Sequence, residues 1–143
     1  MGLLTTTHKA TARTPYWVWV MAAVAGAFAA LSVSWIADEI GVWLESAFPI
    51  NLRSWEFAAI QVALVSTPAG AVAGLIGAFS KRWRRGLAIG AVVNAVVFVL
   101  FVVTSDSFLA AAVGVKGWVL ATGIAGGAFA GAIGGMFSSR VPQ

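Results

Sequence analysis

Residues 118–137 read WVLATGIAGGAFAGAIGGMF, twenty positions without a charged side chain and with glycine at Gly123, Gly127, Gly131 and Gly135. A spacing of four holds those glycines on one slowly drifting stripe of a helix, where a neighbouring backbone can come close. Gly126, Ala130 and Gly134 run beside them as a second row. In water each glycine would weaken a helix by about 1 kcal/mol relative to alanine. In lipid an unsatisfied backbone group costs several kcal/mol, so the helix persists and the bare stripe becomes a packing surface.

Working back towards the N-terminus, small-residue rows recur. Gly70, Gly74 and Ala78 lie on one face with Gly77 beside them; Gly86, Gly90 and Asn94 form another row, and Ala22, Gly26 and Ala30 a further one. The whole chain fits this setting, with 60% hydrophobic and 10% charged residues in 143 positions. Soluble domains carry about 25% charged residues. The fold expected is an all-α membrane protein: one antiparallel four-helix domain over 16–140, with spans near 16–36, 55–80, 86–103 and 118–137, after a polar tail at 1–15. The first apolar run is too long for the core of a cleavable secretory signal, so it is read as a span. Trp17 and Trp35 bracket it about 27 Å apart, close to the hydrocarbon thickness.

After the first span Ile40, Trp43, Leu44, Ala47 and Phe48 recur at helical spacing while Asp38, Glu39, Glu45 and Ser46 take much of the other face. That pattern predicts a short outer interfacial helix over 38–48, or a bent extension of the first span. Ser54 is placed to cap the second span, with Glu56 in its first turn. Pro68, after Ser66 and Thr67, predicts a kink near its middle. Lys81, Arg82, Arg84 and Arg85 around Trp83 read as a five-residue turn that makes the second and third spans antiparallel neighbours.

Basic residues set the orientation. With a cytoplasmic N-terminus Lys9, Arg13, Lys81, Arg82, Arg84, Arg85 and Arg140 lie inside and only Arg53 and Lys116 outside, while Asp38, Glu39, Glu45, Glu56 and Asp106 are all outside. The expected location is the cell (inner) membrane, crossed several times, with both termini cytoplasmic. The two halves also echo each other. Six of the ten positions from Ala69 recur 57 residues later, although a basic-x-Trp start, Arg53 to Trp55 and Lys116 to Trp118, recurs at a shift of 63.

Catalysis has no support: the chain has no cysteine, its one histidine is His8 in the tail, and no metal-ligand cluster or phosphate loop is present. No cofactor is expected, and the basic turn hugs the bilayer too closely to be a nucleic-acid site. The candidate polar sites are a pathway or interhelical set of Asn94, Gln61, Ser66, Thr67, Pro68 and Thr122, an outer acidic face of Asp38, Glu39 and Glu45, and a headgroup-facing, topology-fixing set of Lys81, Arg82, Arg84 and Arg85. The helix-packing residues are Gly70, Gly74, Gly123, Gly127, Gly131 and Gly135.

The glycine rows resemble glycine-zipper membrane segments, a likeness that implies close packing and no particular activity. The first-helix glutamate of small multidrug transporters and the third-span motif of fluoride channels have no counterpart at 17–35 or 91–103. Two functions are therefore expected of such a chain: a small oligomeric channel or transporter for a solute or ion, or an accessory subunit docking other membrane helices. The partners implied are the bilayer with its anionic lipids and either further copies of the chain or other membrane subunits.

Overall fold

A computed structural model describes residues 15–47, 55–105 and 113–140, and over these the chain is helical with short connections. The four helices are α1 (Tyr16–Ala47), α2 (Trp55–Phe79), α3 (Trp83–Thr104) and α4 (Val113–Ser139). Each contains a stretch long and apolar enough to cross a membrane. The protein is a multi-pass membrane protein built as a four-helix bundle. The tail with His8, Lys9 and Arg13, the Ser54 cap, Arg53 and Asp106 lie outside the described residues.

The bundle sorts side chains by size rather than by polarity. Phe28, Leu64 and Phe129 are exposed, whereas Ala22, Ala30, Ala73 and Ala130 are buried. Lipid is as apolar as leucine, so large aliphatic residues gain little by turning inward, and small ones let backbones approach.

Burial separates the helices into two kinds. In an apolar 18-residue stretch of each helix, 50% of the residues in α4 and 44% in α2 are buried, against 28% in α1 and α3. α2 and α4 accordingly form a central pair. α1 packs against both of them, α3 does the same, and no comparable packing joins α1 to α3.

Glycine sets the depth of that central contact. A methyl on Gly77 would strike the Gly131 carbonyl and fall 2.8 Å from its Cα, and one on Gly134 would strike the Gly74 carbonyl. Only a residue without Cβ permits such approach. On the flanks Gly26 meets Gly70 and Gly74 of α2, while Gly90 meets Gly127 and Gly131 of α4.

Several boundaries depart from the sequence reading. Of the two readings of 38–48 the extension holds over the described residues: 38–47 continue α1, whose 32 residues span about 48 Å, and Phe48 lies outside the described residues. Ser34, Ala37 and Gly41 are buried at helical spacing, so the bundle grips the continuation by its small residues. The apolar residues that suggested a membrane-facing side, Ile40 and Trp43, are exposed. α3 starts at Trp83 rather than Gly86, which leaves only Ser80, Lys81 and Arg82 in the turn. α4 starts at Val113, five residues before the expected position. Pro68 lies inside α2 with its side chain exposed.

The three-residue turn is closed by Ser80, whose hydroxyl donates to the Gly77 carbonyl at 2.7 Å and to that of Arg82 at 2.9 Å as alternatives. Lys81 adopts a left-handed conformation with φ of 52°, which costs an L-residue about 1–2 kcal/mol. Lys81→Gly relieves this, offset by the greater unfolded-state freedom of glycine, roughly 0.5–1 kcal/mol. The net expectation is a gain of about 0.5–1 kcal/mol. A melt of the detergent-solubilised variant checks it, and an unchanged or lowered midpoint contradicts it.

Candidate functional site

Five polar residues are buried in the described bundle: Ser34, Ser66, Asn94, Thr122 and Ser138. Their positions follow from the small-residue rows, since a short polar side chain is what the next step of such a row admits. Ser34 extends the row Ala22, Gly26, Ala30 of α1 by four, and its hydroxyl donates to Ser66 Oγ of α2 at 2.8 Å, with the Ala30 carbonyl 3.0 Å away as an alternative acceptor. This is a buried interhelical bond between neutral groups, of the kind worth about 0.6–2 kcal/mol in a membrane.

Asn94 sits on the row Gly86, Gly90 of α3 and is 0% exposed. Its Nδ2 donates to the Gly123 carbonyl of α4 at 3.1 Å, while its Oδ1 is buried without a hydrogen-bond partner. Glycines receive its side chain, because a methyl on Gly127 would strike Asn94 Cβ and Cγ. The amide is thus fixed by one bond and by shape, and its orphan acceptor subtracts from what the bond contributes. Asn94→Ala loses the bond and relieves the orphan together. The expected loss is small, about 0.5–1 kcal/mol, and a loss several times larger in a reversible unfolding assay would contradict this account.

The remaining candidates do not converge on Asn94. Thr67 is half-buried and its hydroxyl donates to its own Ala63 carbonyl at 2.9 Å. Gln61 is half-buried near one end of α2, and Pro68 faces outward. The structure therefore places Ser66 against Ser34, Asn94 against Gly123, Thr122, the residue before Gly123, in the interior, and Pro68 on the surface. Phe98 had not been singled out from sequence. It is 0% exposed and centres a cluster with Val62, Val115 and Val119. Its signal was there to find, since Phe98 is the next step of the row Gly86, Gly90, Asn94.

At one end of the bundle Asp38 is half-buried and Glu39 exposed; the Glu45 side chain lies outside the described set. Asp38 lines a cleft of about 170 Å³ with Leu31, Ser34, Trp35, Ile60 and Ala63. Among the described residues no three carboxylate or imidazole groups come together in a way that could hold a metal ion. At the other end Lys81, Arg82, Arg84 and Arg85 are all exposed, and the Arg84 guanidinium lies 5.4 Å from the centre of the Trp83 ring. That distance is within reach of a cation–π attraction.

The arrangement defines a membrane bundle with a glycine-packed interior, a basic turn at one end and, among the described side chains, Asp38, Glu39 and Lys116 towards the other. No protein family, curated protein or solved structure matches the chain.

Proposed function

We propose that the chain is a non-enzymatic accessory subunit of a membrane complex, a rigid four-span body that meets its partners through outward-facing helix flanks. One observation carries this reading. Towards the basic end the α2–α4 contact is closed backbone to backbone, with Gly77 on Gly131 and Gly134 on Gly74, so a solute has no lumen between the helices there. The other reading, a channel or transporter, has two routes: a cleft near Asn94 and Pro68 asks two residues to share a path although one is sealed inside and the other faces outward, and a pore along an oligomer axis would have to be lined by outer flanks that bear large apolar side chains. The glycine faces that could have docked neighbouring subunits are occupied within the chain. That leaves flanks bearing Phe28, Leu64, Val96 and Phe129 for contact with foreign helices.

In the same reading the basic turn and both termini face the cytoplasm and the acidic end faces out, in a cell membrane. Lys81, Arg82, Arg84 and Arg85 attract anionic headgroups at about 1 kcal/mol each, and the protein requires no cofactor or nucleic acid. Single cysteines at Ser46 and Ser139, both exposed near opposite ends, test the orientation. An impermeant thiol reagent on intact cells should label only position 46, and labelling at 139 alone reverses the topology.

Gentle extraction with native lipids, followed by the mass of the intact assembly, tests the function. Foreign subunits in fixed stoichiometry are expected. Recovery of the chain only as itself, whether as a single copy or as an oligomer that conducts ions in liposomes, overturns the proposal.

A further inference from the structure

We infer that the chain is a fused pair of two-helix hairpins, α1–α2 and α3–α4, related by a two-fold axis along the membrane normal, so that the surface α2 presents to α4 is one built to receive a copy of itself. Adding 64 to a residue number in α1 and 57 to one in α2 converts the first hairpin's contacts into the second's. A methyl on Gly26 would strike the Gly70 carbonyl and lie 2.9 Å from Gly74 Cα; a methyl on Gly90 would strike the Gly127 carbonyl and lie 3.0 Å from Gly131 Cα. In return Gly74 meets the Ala22 carbonyl and Gly131 meets the Gly86 carbonyl. Gly70 meets Ala30 Cβ, and Gly127 meets Asn94 Cβ.

The central interface obeys the same rule in the form a two-fold axis demands. Gly77 rests on the Gly131 carbonyl and Gly134 on the Gly74 carbonyl, and the shift of 57 turns either contact into the other with the helices exchanged. Residue i touches j′ while j touches i′, which is the mark of an isologous interface. Burial agrees over the packed middle: each buried residue of α2 from Val62 to Ala78 has a buried counterpart 57 positions on, and Ala22, Gly26, Ala30 and Ser34 have buried counterparts in Gly86, Gly90, Asn94 and Phe98, while Val18, Ala37 and Gly41 of α1, towards its ends, have none.

Composition does not produce this correspondence. Abundant glycine and alanine explain a sequence echo, but not which carbonyl each glycine meets. The register is fixed as well: Trp118 corresponds to Gln61 rather than to Trp55, so the shared basic-x-Trp start is not structurally equivalent. The difference of seven between the two shifts matches the longer α1, which runs on to Ala47 while Thr104, the end of α3, corresponds to Ile40. A two-span unit returns to the side it started from, so both halves have the same orientation and a short turn suffices to join them.

One pair of equivalent positions shows coordinated divergence. Where the first half places Ser34 against Ser66, the second places Phe98 against Gly123, whose missing side chain the phenyl ring covers. One partner enlarged as the other shrank.

The test uses the full-length chain and reads recovery of monodisperse protein in mild detergent together with its melting midpoint. S34F/S66G transplants the second half's pair into the first and is expected to be recovered within about twofold of the parent, whereas the reversed pair S34G/S66F should lose about tenfold or more. Matched alanine variants, G77A with G134A and G74A with G131A, should lose recovery equally within about twofold. Failure of S34F/S66G to the extent of its reversal, or matched glycines differing by about tenfold, would overturn the two-fold relation.

Discussion

Gly131→Leu is expected to abolish the assembled bundle while leaving its individual helices formed. Three helices converge on this residue. Its carbonyl receives Gly77 of α2 and Gly86 of α3, its Cα would lie 3.0 Å from a methyl on Gly90, and a methyl of its own would strike the Gly86 carbonyl. In most cores an added methylene is absorbed by rotamer changes at about 1–3 kcal/mol. Here the obstructing atoms are backbone on both sides, so a leucine must push α3 away from α4 along its length. The loss should be on the order of 5 kcal/mol, comparable with the total stability of a small domain. The helices themselves should survive, since in a bilayer each closes its own hydrogen bonds before packing begins. Circular dichroism of the variant in lipid should therefore keep its helical signal while the cooperative melt disappears. Gly117→Leu is the matched control, because nothing lies within 4 Å of the position a methyl would take there, and it should melt like the parent. A cooperative transition retained in the Gly131 variant would show that the glycine row is not what holds α3 and α4 together.

The legible parts of this fold are those that depend on local chemistry. Spans announce themselves through uninterrupted apolar length, and rows such as Gly123, Gly127 and Gly131 identify a packing stripe before any neighbour is known. Which helix each stripe meets is a long-range matter that spacing does not encode. Rows on all four spans suit contacts within one chain as well as contacts between chains. In the structure they are consumed by the central α2–α4 contact and its two flanks, because a pseudo-symmetric bundle needs a bare face on every helix and two on the central pair. The end of α1 was legible in part for a related reason. Amphipathic spacing puts Ile40 and Trp43 on a membrane-facing side, and both are exposed, but it does not show that protein grips Ala37 and Gly41 on another face and so carries the helix on. The start of α3 at Trp83 was hidden because charged residues in a first turn look like loop. The polar candidates were partly legible. Asn94 declared itself as the lone amide of its span, but Ser34 and Phe98 become meaningful only when each row is carried one further step of four.

Phe98→Ala is the second change expected to act strongly, and its size separates packing from solvent-driven burial. The ring is 0% exposed among Val62, Val115 and Val119, lies over Gly123, and meets Phe101 edge-on at 6.2 Å. In a water-soluble core such a truncation costs about 3–5 kcal/mol, a sum of lost transfer from water and the cavity left behind. In a bilayer the transfer share largely falls away, because the unassembled helix already presents the ring to hydrocarbon. The cavity share remains, since the lining atoms lose their dispersion partners and Gly123 has no side chain with which to close the gap. The expected loss is therefore about 2–3 kcal/mol, below the aqueous value but several times that of Asn94→Ala. Gly123→Ala in the same background should recover part of it, because a methyl at 123 would now occupy space the ring has vacated. Reversible unfolding of both variants in mixed micelles measures the difference. A full aqueous-sized loss would mean that water reaches the unassembled helix at this depth, and no loss would mean that the second hairpin closes over the gap without its phenylalanine.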